Sequence, residues 1–383
     1  MKMRTINNYI IIIMCVLLSA CTGGKQNSVK GSIDGDTIQM KYAKNLCIVK
    51  HDGYTEVSLA DPWNEGKELA RYVLTDTPDS LDAKVKEGSV VVKTPLKKLL
   101  VSTSVHTNLY DEMGKRADIA GVCDANYINL DFVKQGLKDG KIADCGSSMQ
   151  PDLERVIALS PDAIMLSPYQ GSSYGKVSEI GVPIIELVDY METSPLGRAE
   201  WMIFFGMLVG EEQKATAMFD EVEKRYNEYK SFAAEEKSQK SVMMDKMVQA
   251  SWYVPGGEST IGQMLHDANC NYAYADTKQS GGVEQSFEQV MAKCADSDIW
   301  LFRYNDGDNA DFKLSSLLKD NAKYGAFNAY KKGNVYGCQP YETQFFELTP
   351  FHPELLLRDF VIILHPESEL AKNEMPRFFK KLD

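Results

Sequence analysis

The chain has 383 residues and a formal net charge of −12. This length exceeds what one ordinary hydrophobic core supports and predicts two domains. Hydrophobic residues make up 44% of the chain and charged residues 25%, which is typical of a folded globular protein. The acidic balance argues against a nucleic-acid-binding protein, because such proteins present a basic surface to the phosphates.

The N-terminus has the layout of a bacterial export signal. Lys2 and Arg4 precede an almost wholly apolar run at residues 9–18, which is too short to be a transmembrane helix. The sequence LSAC at residues 18–21 resembles a lipobox. The resemblance to bacterial lipoproteins implies that Cys21 becomes the first mature residue and carries acyl chains such as palmitate. We therefore predict a signal peptide over residues 1–20, a lipidated tether over residues 21–30, and a periplasmic body anchored to a bacterial membrane.

Six further cysteines follow the tether. In an oxidising compartment an even number permits disulfides, but six cysteines allow 15 pairings and the sequence does not choose among them. None forms a CxxC motif or sits in a Cys/His cluster. We therefore predict no metal site.

The first half of the body predicts an α/β unit. Residues 35–58 alternate apolar and polar side chains around Asp52-Gly53, which predicts a hairpin on the outside of this half. Strands and helices are then expected to alternate, which implies parallel βαβ units. The expected strands are residues 98–103, 119–123, 163–167 and 183–188, and the expected helices are residues 105–114, 152–159 and 176–180.

A helical region separates the two halves. Ser194-Pro195 predicts its start and Gly210 the end of its first helix. A second helix is predicted over residues 211–236. Its length of about 40 Å, at 1.5 Å per residue, could span two domains, although periodicity alone fits a long amphipathic surface helix equally well. The second half then repeats the alternation, with strands expected at residues 241–252, 297–303 and 332–336 and helices at residues 288–294 and 352–364.

Several segments together carry a family resemblance. PDLERVIALSPD at residues 151–162, YMETSPLGRAEW at 190–201, GGEST at 256–260, SFEQV at 286–290 and HP at 352–353 resemble, in order, motifs of the substrate-binding proteins that serve ABC transporters for cobalamin and iron siderophores. The resemblance covers the chain from about residue 95 onward. It implies an α/β fold of two Rossmann-like lobes bridged by a single long α-helix, the class III periplasmic binding protein. The lobes would be residues 31–210 and 237–383 and the bridge residues 211–236, while residues 30–94 depart from the compact members.

The resemblance also implies a function. The protein would capture an iron siderophore or a corrinoid between its lobes and deliver it to an ABC permease and its ATPase, as a monomer without enzymatic activity or a resident cofactor. By motif match, Glu154 and Glu288 would be the rim glutamates that meet arginines of the permease. Without the resemblance, both are ordinary exposed carboxylates near the first turn of a helix.

Ligand-binding residues follow from the expected sheet geometry. Ligands of open α/β sheets bind beyond the carboxyl ends of the strands, so the candidate loops are residues 102–106, 146–149, 167–170, 252–257 and 303–304. In these loops aromatic rings could stack on a flat macrocycle or catecholate, and an arginine could pair with an anionic group, although core packing is the alternative for any single aromatic residue. The predicted ligand contacts are Ser104, Ser147, Ser148, Met149, Tyr169, Gln170, Trp252, Tyr253, Arg303 and Tyr304.

Other functions are weighed against this one. Haem binding within the same fold stays open, because one Tyr or His can serve as an axial ligand. A periplasmic hydrolase would carry a motif such as HExxH, or SxxK near SDN, and neither occurs. Capture of free zinc or manganese would need several His and carboxylate ligands together, and GGEST lacks the lysine of a nucleotide-binding loop.

Overall fold

The computed structural model describes residues 35–237, 239–305 and 312–383, so the predicted signal peptide, Cys21 and the tether lie outside the described residues. The strands are β1 (Asp36–Ile38), β2 (Leu46–His51), β3 (Tyr54–Ala60), β4 (Glu68–Thr75), β5 (Val90–Lys93), β6 (Leu99–Val101), β7 (Ile119–Val122), β8 (Ala143–Asp144), β9 (Gly146–Ser147), β10 (Gln150–Pro151), β11 (Ala163–Leu166), β12 (Ile184–Glu186), β13 (Ser241–Met244), β14 (Met247–Val248), β15 (Ser251–Pro255), β16 (Asn271–Tyr272), β17 (Gly282–Gln285), β18 (Ile299–Arg303), β19 (Val335–Cys338) and β20 (Lys380–Lys381).

The described residues form fifteen α-helices. They are α1 (Ala83–Lys86), α2 (Ser104–Glu112), α3 (Asp131–Lys138), α4 (Leu153–Leu159), α5 (Pro195–Glu200), α6 (Met202–Val209), α7 (Glu212–Glu235), α8 (Thr260–Asp267), α9 (Phe287–Cys294), α10 (Leu314–Asp320), α11 (Asn328–Lys331), α12 (Pro340–Thr343), α13 (Phe345–Leu348), α14 (Pro353–Leu364) and α15 (Glu369–Asn373). None of the described helices is long and apolar enough to cross a membrane.

Each lobe is built on a parallel sheet. The first has the order β12-β11-β6-β7-β8 and the second the order β16-β13-β18-β19-β20, in which β20 alone runs antiparallel to its neighbour. Their central strands are buried on both faces, as expected of strands covered by helices on either side. The predicted pair of Rossmann-like lobes is therefore confirmed. The helix expected at residues 176–180 is a short 3₁₀ helix, Gly175–Glu179.

The connection between the lobes is helical, as predicted. The Ser194 side chain caps α5 with Pro195 as the first helical residue, and Gly210 ends α6 at a φ of 74°. Every residue of α6 is buried. The reason is that α6 has neighbours on several sides: Tyr72 of β4 stacks near Phe204, and α7 packs along it.

Helix α7 begins and ends within one residue of the predicted bridge, follows α6 directly and leads to β13, the first strand of the second lobe. Its buried stripe contains Phe219, Val222 and Tyr226. It packs against α6 before it and α14 of the second lobe. The Tyr226 hydroxyl donates to Asp267 at the end of α8 over 2.8 Å. The helix is therefore attached to both lobes by packing as well as by the chain.

Residues 36–93, which precede the parallel sheet of the first lobe in the chain, form an additional sheet of order β1-β2-β3-β4-β5. The predicted hairpin is its β2-β3 pair, which turns at Asp52-Gly53 with Gly53 at a φ of 81°. This sheet is joined to the first lobe, because the backbone N–H of Glu186 in edge strand β12 donates to the Tyr72 hydroxyl over 2.8 Å. None of the six cysteines in the described part forms a disulfide.

Candidate functional site

A cavity of about 550 Å³ lies at the carboxyl ends of strands β13, β18 and β19 in the second lobe. This is the edge of the sheet at which open α/β folds bind ligands, and the volume falls within the range of small-molecule sites. Aromatic and aliphatic side chains make up most of its wall. The lining residues are Asp245, Lys246, Met247, Val248, Tyr253, Arg303, Tyr304, Asn305, Pro340, Tyr341 and Phe346.

Consecutive residues of β15 point to opposite sides of the strand. Tyr253 lines the cavity and is 49% exposed, as a ligand contact would be. Trp252 is fully buried, its indole N–H donates to the Met244 carbonyl over 2.9 Å, and its ring stacks on Trp300. The prediction that Trp252 contacts the ligand is therefore wrong. Because side chains alternate across a strand, only one of two neighbours can face the cavity.

Arg303 lines the cavity as predicted, but its guanidinium already has a partner. Its Nε lies 3.2 Å from Oδ1 of Asp245, and its Nη2 lies 3.0 Å from Oδ2. Burial by itself would lower the pKa of Arg303, yet the Asp245 carboxylate raises it, so the guanidinium stays charged. In the structure the guanidinium pairs with Asp245, and the expected pairing of Arg303 with an anionic ligand group stays a prediction.

The other cation among the described lining residues is also paired. The Lys246 ammonium lies 2.5 Å from Oδ2 of Asp320. Tyr304, a predicted contact, lines the cavity and stacks on Phe312 with ring centroids 4.5 Å apart. Sequence reasoning did not select Phe346, which lies in the lining with 44% of its surface exposed.

Loops of the first lobe approach the same region. The Asn129 side-chain amide donates to the carbonyl of Tyr341, a lining residue, over 2.7 Å. Tyr169 and Met149, both predicted contacts, are 49% and 60% exposed, and Tyr127, which sequence reasoning missed, is 70% exposed. Their exposure leaves these side chains available to a ligand, although single exposed apolar residues are also common on protein surfaces.

The remaining polar candidates of the first lobe divide into two groups. Ser147 and Gln170 are exposed, while the half-buried Ser148 donates its backbone N–H to Asp124 over 3.0 Å. The Ser104 hydroxyl instead hydrogen-bonds the buried Glu347 of α13, across the junction of the lobes. These first-lobe candidates lie outside the 550 Å³ cavity, so their contact with a ligand stays a prediction.

A buried polar network supports the loop after β6. The Thr103 hydroxyl lies 2.7 Å from Nδ1 of His106, and Nε2 of the same ring lies 2.9 Å from Asp189. Arg198 donates to the second Asp189 oxygen over 2.9 Å. Burial alone would raise the pKa of Asp189, but His106 and Arg198 lower it to about 2. The Thr103 side chain also caps α2 by accepting the backbone N–H of His106. The network therefore orients this loop and does not present a free nucleophile.

A second polar cluster joins the two lobes. His352, immediately before α14, lies 2.9 Å from Glu112 of α2 through Nε2 and 3.1 Å from Glu354 through Nδ1. Burial alone would lower the pKa of His352, but hydrogen bonds to the two carboxylates raise it to about 10. The ring is therefore an imidazolium that donates to a carboxylate on each side at neutral pH. Among the described residues no group of three His, Cys, Asp or Glu side chains could hold a metal ion.

The two predicted docking glutamates occupy matching positions. Glu154 is the second residue of α4 and Glu288 the second residue of α9, and both are exposed. Each of these helices leads into a strand, β11 or β18, that pairs with the first strand of its lobe. Glu288 approaches Lys323 at 3.5 Å with three-quarters of its side chain in water. The geometry places one exposed carboxylate at the start of a helix in each lobe.

Two α/β lobes joined by a single helix, with an apolar cavity at the carboxyl ends of the strands, define the class of two-lobed solute-binding proteins. A sequence model of the periplasmic binding protein family matches residues 102–342. The chain therefore belongs to this family, whose members are the solute-binding components of ABC importers.

Individual relatives agree with this assignment. A lipoprotein of Methanocaldococcus jannaschii is 24% identical over 404 aligned positions, which cover 97% of this chain and 94% of the relative. The petrobactin-binding protein YclQ of Bacillus subtilis is 29% identical over 48% of this chain and 45% of its own length. Its crystal structure superposes with a TM-score of 0.55 at 22% identity, over 72% of this chain and 94% of that protein. A periplasmic binding protein of Veillonella parvula superposes with a TM-score of 0.59 at 14% identity, over 82% and 98%.

Proposed function

We propose that the protein captures an iron siderophore or a corrinoid between its lobes and delivers it to the permease of an ABC importer. The observation that carries this proposal is the aromatic cavity at the carboxyl ends of β13, β18 and β19. Tyr253, Tyr304 and Phe346 offer ring faces and edges suited to a flat or bulky metal chelate. The relationship to a petrobactin-binding protein supports a metal chelate as the solute.

Membrane attachment is the second part of the proposal. Cys21 would be acylated after removal of residues 1–20, and the polar residues that follow it would tether the body at the membrane surface. The likeness to a lipoprotein over almost the whole chain supports this arrangement. A tethered receptor stays close to its permease, which raises the effective concentration of the two partners.

Glu154 and Glu288 would carry the contact with the permease. Each stands at the start of a surface helix, one per lobe, and α7 between the lobes fixes the distance from one to the other. Charges placed at the rim of an interface steer and orient docking while adding little to the stability of the free protein. The exposed Ile157, one turn beyond Glu154, adds an apolar contact to that site.

An absorbance spectrum of the protein purified from its native host tests the function directly. A ferric siderophore or a corrinoid absorbs visible light, and we expect one of these spectra together with a stoichiometric content of iron or cobalt. Haem, the alternative within this fold, would be identified by its own intense spectrum. A colourless protein that also fails to bind added ferric chelates, corrinoids and haem would contradict the proposal.

A further inference from the structure

The charges of the cavity suggest which chelates it accepts. Arg303 and Lys246 are the cations among the described lining residues, and each is held by a carboxylate, Asp245 or Asp320. A ligand that brought several negative charges would have to displace these partners or lie beside them. Either course is costly, because a carboxylate left without its cation in a half-buried site loses its compensation.

Asp245 in particular is fixed in place. Its backbone N–H donates to the Leu301 carbonyl over 2.7 Å, and its own carbonyl accepts the indole N–H of Trp300 over 2.7 Å. Its φ of 60° sets the turn between β13 and β14. The backbone that carries the carboxylate is therefore bound to strand β18, which also carries Arg303. The pair is part of the sheet edge and not a mobile surface contact.

The first lobe supplies no compensating cation from the predicted ligand loops. Residues 102–106, 146–149 and 167–170 contain neither lysine nor arginine. The carboxylates of Asp124 and Asp144 accept backbone N–H groups of residues 146–149. What these loops present instead is hydroxyl groups and the exposed Met149 and Tyr169.

Building on the proposed function, we propose that the cleft selects metal chelates without net negative charge, held mainly by the aromatic wall around Tyr253. Uncharged ferric trihydroxamates and uncharged corrinoids share this chemistry. Trianionic ferric tricatecholates and haem, with its two carboxylates, do not. Selection arises because like charges brought together at an interface cost affinity.

Titration of the purified mature chain with four probes tests this proposal. The probes are ferrichrome and cyanocobalamin as uncharged chelates, and ferric enterobactin and haemin as anionic ones. We expect at least one uncharged probe to bind at least tenfold more tightly than either anionic probe. A comparison of ferrichrome with cyanocobalamin then shows whether the ligand is a ferric siderophore or a corrinoid. Tighter binding of an anionic probe would overturn the charge selection and leave the proposed function intact. Failure of all four probes to bind would count against both.

Two variants change the charge of the site without changing its shape. Asp245→Asn frees the Arg303 charge, and asparagine tolerates a positive φ. Asp320→Asn frees Lys246 from a more exposed position and serves if the first variant folds poorly. We expect either variant to gain at least tenfold in affinity for ferric enterobactin, with little change for the uncharged probe. Asp79→Asn makes the same charge change at an exposed site outside the cavity and should gain nothing. Unaltered selectivity in both cavity variants would overturn the proposal.

Discussion

At the scale of single residues, one side of β15 faces the hydrophobic core and the other faces the cavity. Trp252 packs in an aromatic cluster with Trp300, Tyr324 and Phe327, whereas Tyr253 faces the cavity. The neighbours are chemically similar but have different surroundings. Their substitution should therefore affect different measurements.

We expect Tyr253→Ala to weaken binding of the bound chelate by about 1–3 kcal/mol, the scale of an interface aromatic, with little change in the free energy of unfolding. Trp252→Ala is expected to lower the free energy of unfolding by about 3–5 kcal/mol, because it leaves a large void among buried rings. Ligand titration and urea denaturation of the two variants measure both effects. An unchanged affinity in Tyr253→Ala would remove this residue from the binding surface.

At the scale of elements, the additional N-terminal sheet is attached through a backbone segment that two buried carboxylates hold. Oε1 of Glu200 accepts the N–H of Lys41 over 2.7 Å, and its Oε2 accepts those of Tyr42 and Ala43 over 2.8 Å each. Glu192 accepts the next two N–H groups and the Trp201 indole. This segment therefore braces the start of the connection between the lobes.

Glu200→Ala should leave three backbone N–H groups without their acceptor next to α5. A buried donor that loses its partner costs about 1–3 kcal/mol, so we expect a loss of at least about 3 kcal/mol in the free energy of unfolding. Glu221→Ala, which removes an exposed carboxylate from α7, is the control and should stay within about 0.5 kcal/mol of the wild type. Equal stability of the two variants in urea denaturation would show that the segment is held by packing alone.

At the scale of the whole molecule, the lobes are joined by polar contacts in addition to α7. His352 with Glu112, Ser104 with Glu347, and the Asn129 amide with the Tyr341 carbonyl each cross from one lobe to the other. The contact of His352 with Glu112 involves a protonated imidazole ring. Its contribution therefore depends on pH.

The raised pKa of His352 predicts a loss of stability in alkaline solution. A histidine whose folded pKa is about 10 stabilises fully below its ordinary value of 6.5, and that contribution declines as the pH rises from there to about 10. We expect the free energy of unfolding to fall by on the order of a few kcal/mol across this window. His352→Gln should flatten this part of the profile, whereas His266→Gln, at an exposed ring, should keep it. The same slope in wild type and His352→Gln would contradict the assignment.

The two predicted docking residues lie one on each lobe, so docking to the permease would involve the whole molecule. Reversal of Glu154 and Glu288 to lysine would bring like charges together at a cationic permease surface, which costs several kcal/mol at an interface. We expect uptake through the transporter to collapse, while ligand affinity of the isolated protein changes by less than about twofold, which corresponds to about 0.4 kcal/mol. Transport assays and titration of the double variant measure the two effects. Normal transport, or lost ligand binding, would give these glutamates a different role.

The sequence by itself determined the features that depend on neighbouring residues. The hairpin at Asp52-Gly53, the caps at Ser194 and Gly210, and the bounds of α7 follow from turn chemistry, capping and helical periodicity over short stretches. The family motifs supplied the class of fold. The carboxyl ends of the strands then indicated where the cavity would lie.

Tertiary structure alone decided which of two adjacent aromatic residues faces the cavity. Pairing of β15 with β17 sets which side each residue takes, and a shift of one residue would have exchanged Trp252 and Tyr253. It also decided the partner of Arg303, because Asp245 lies 58 positions earlier in the chain. A residue's type limits the contacts it can make, but packing of distant strands determines which of them it makes. The ligand contacts were therefore the least predictable part of this protein.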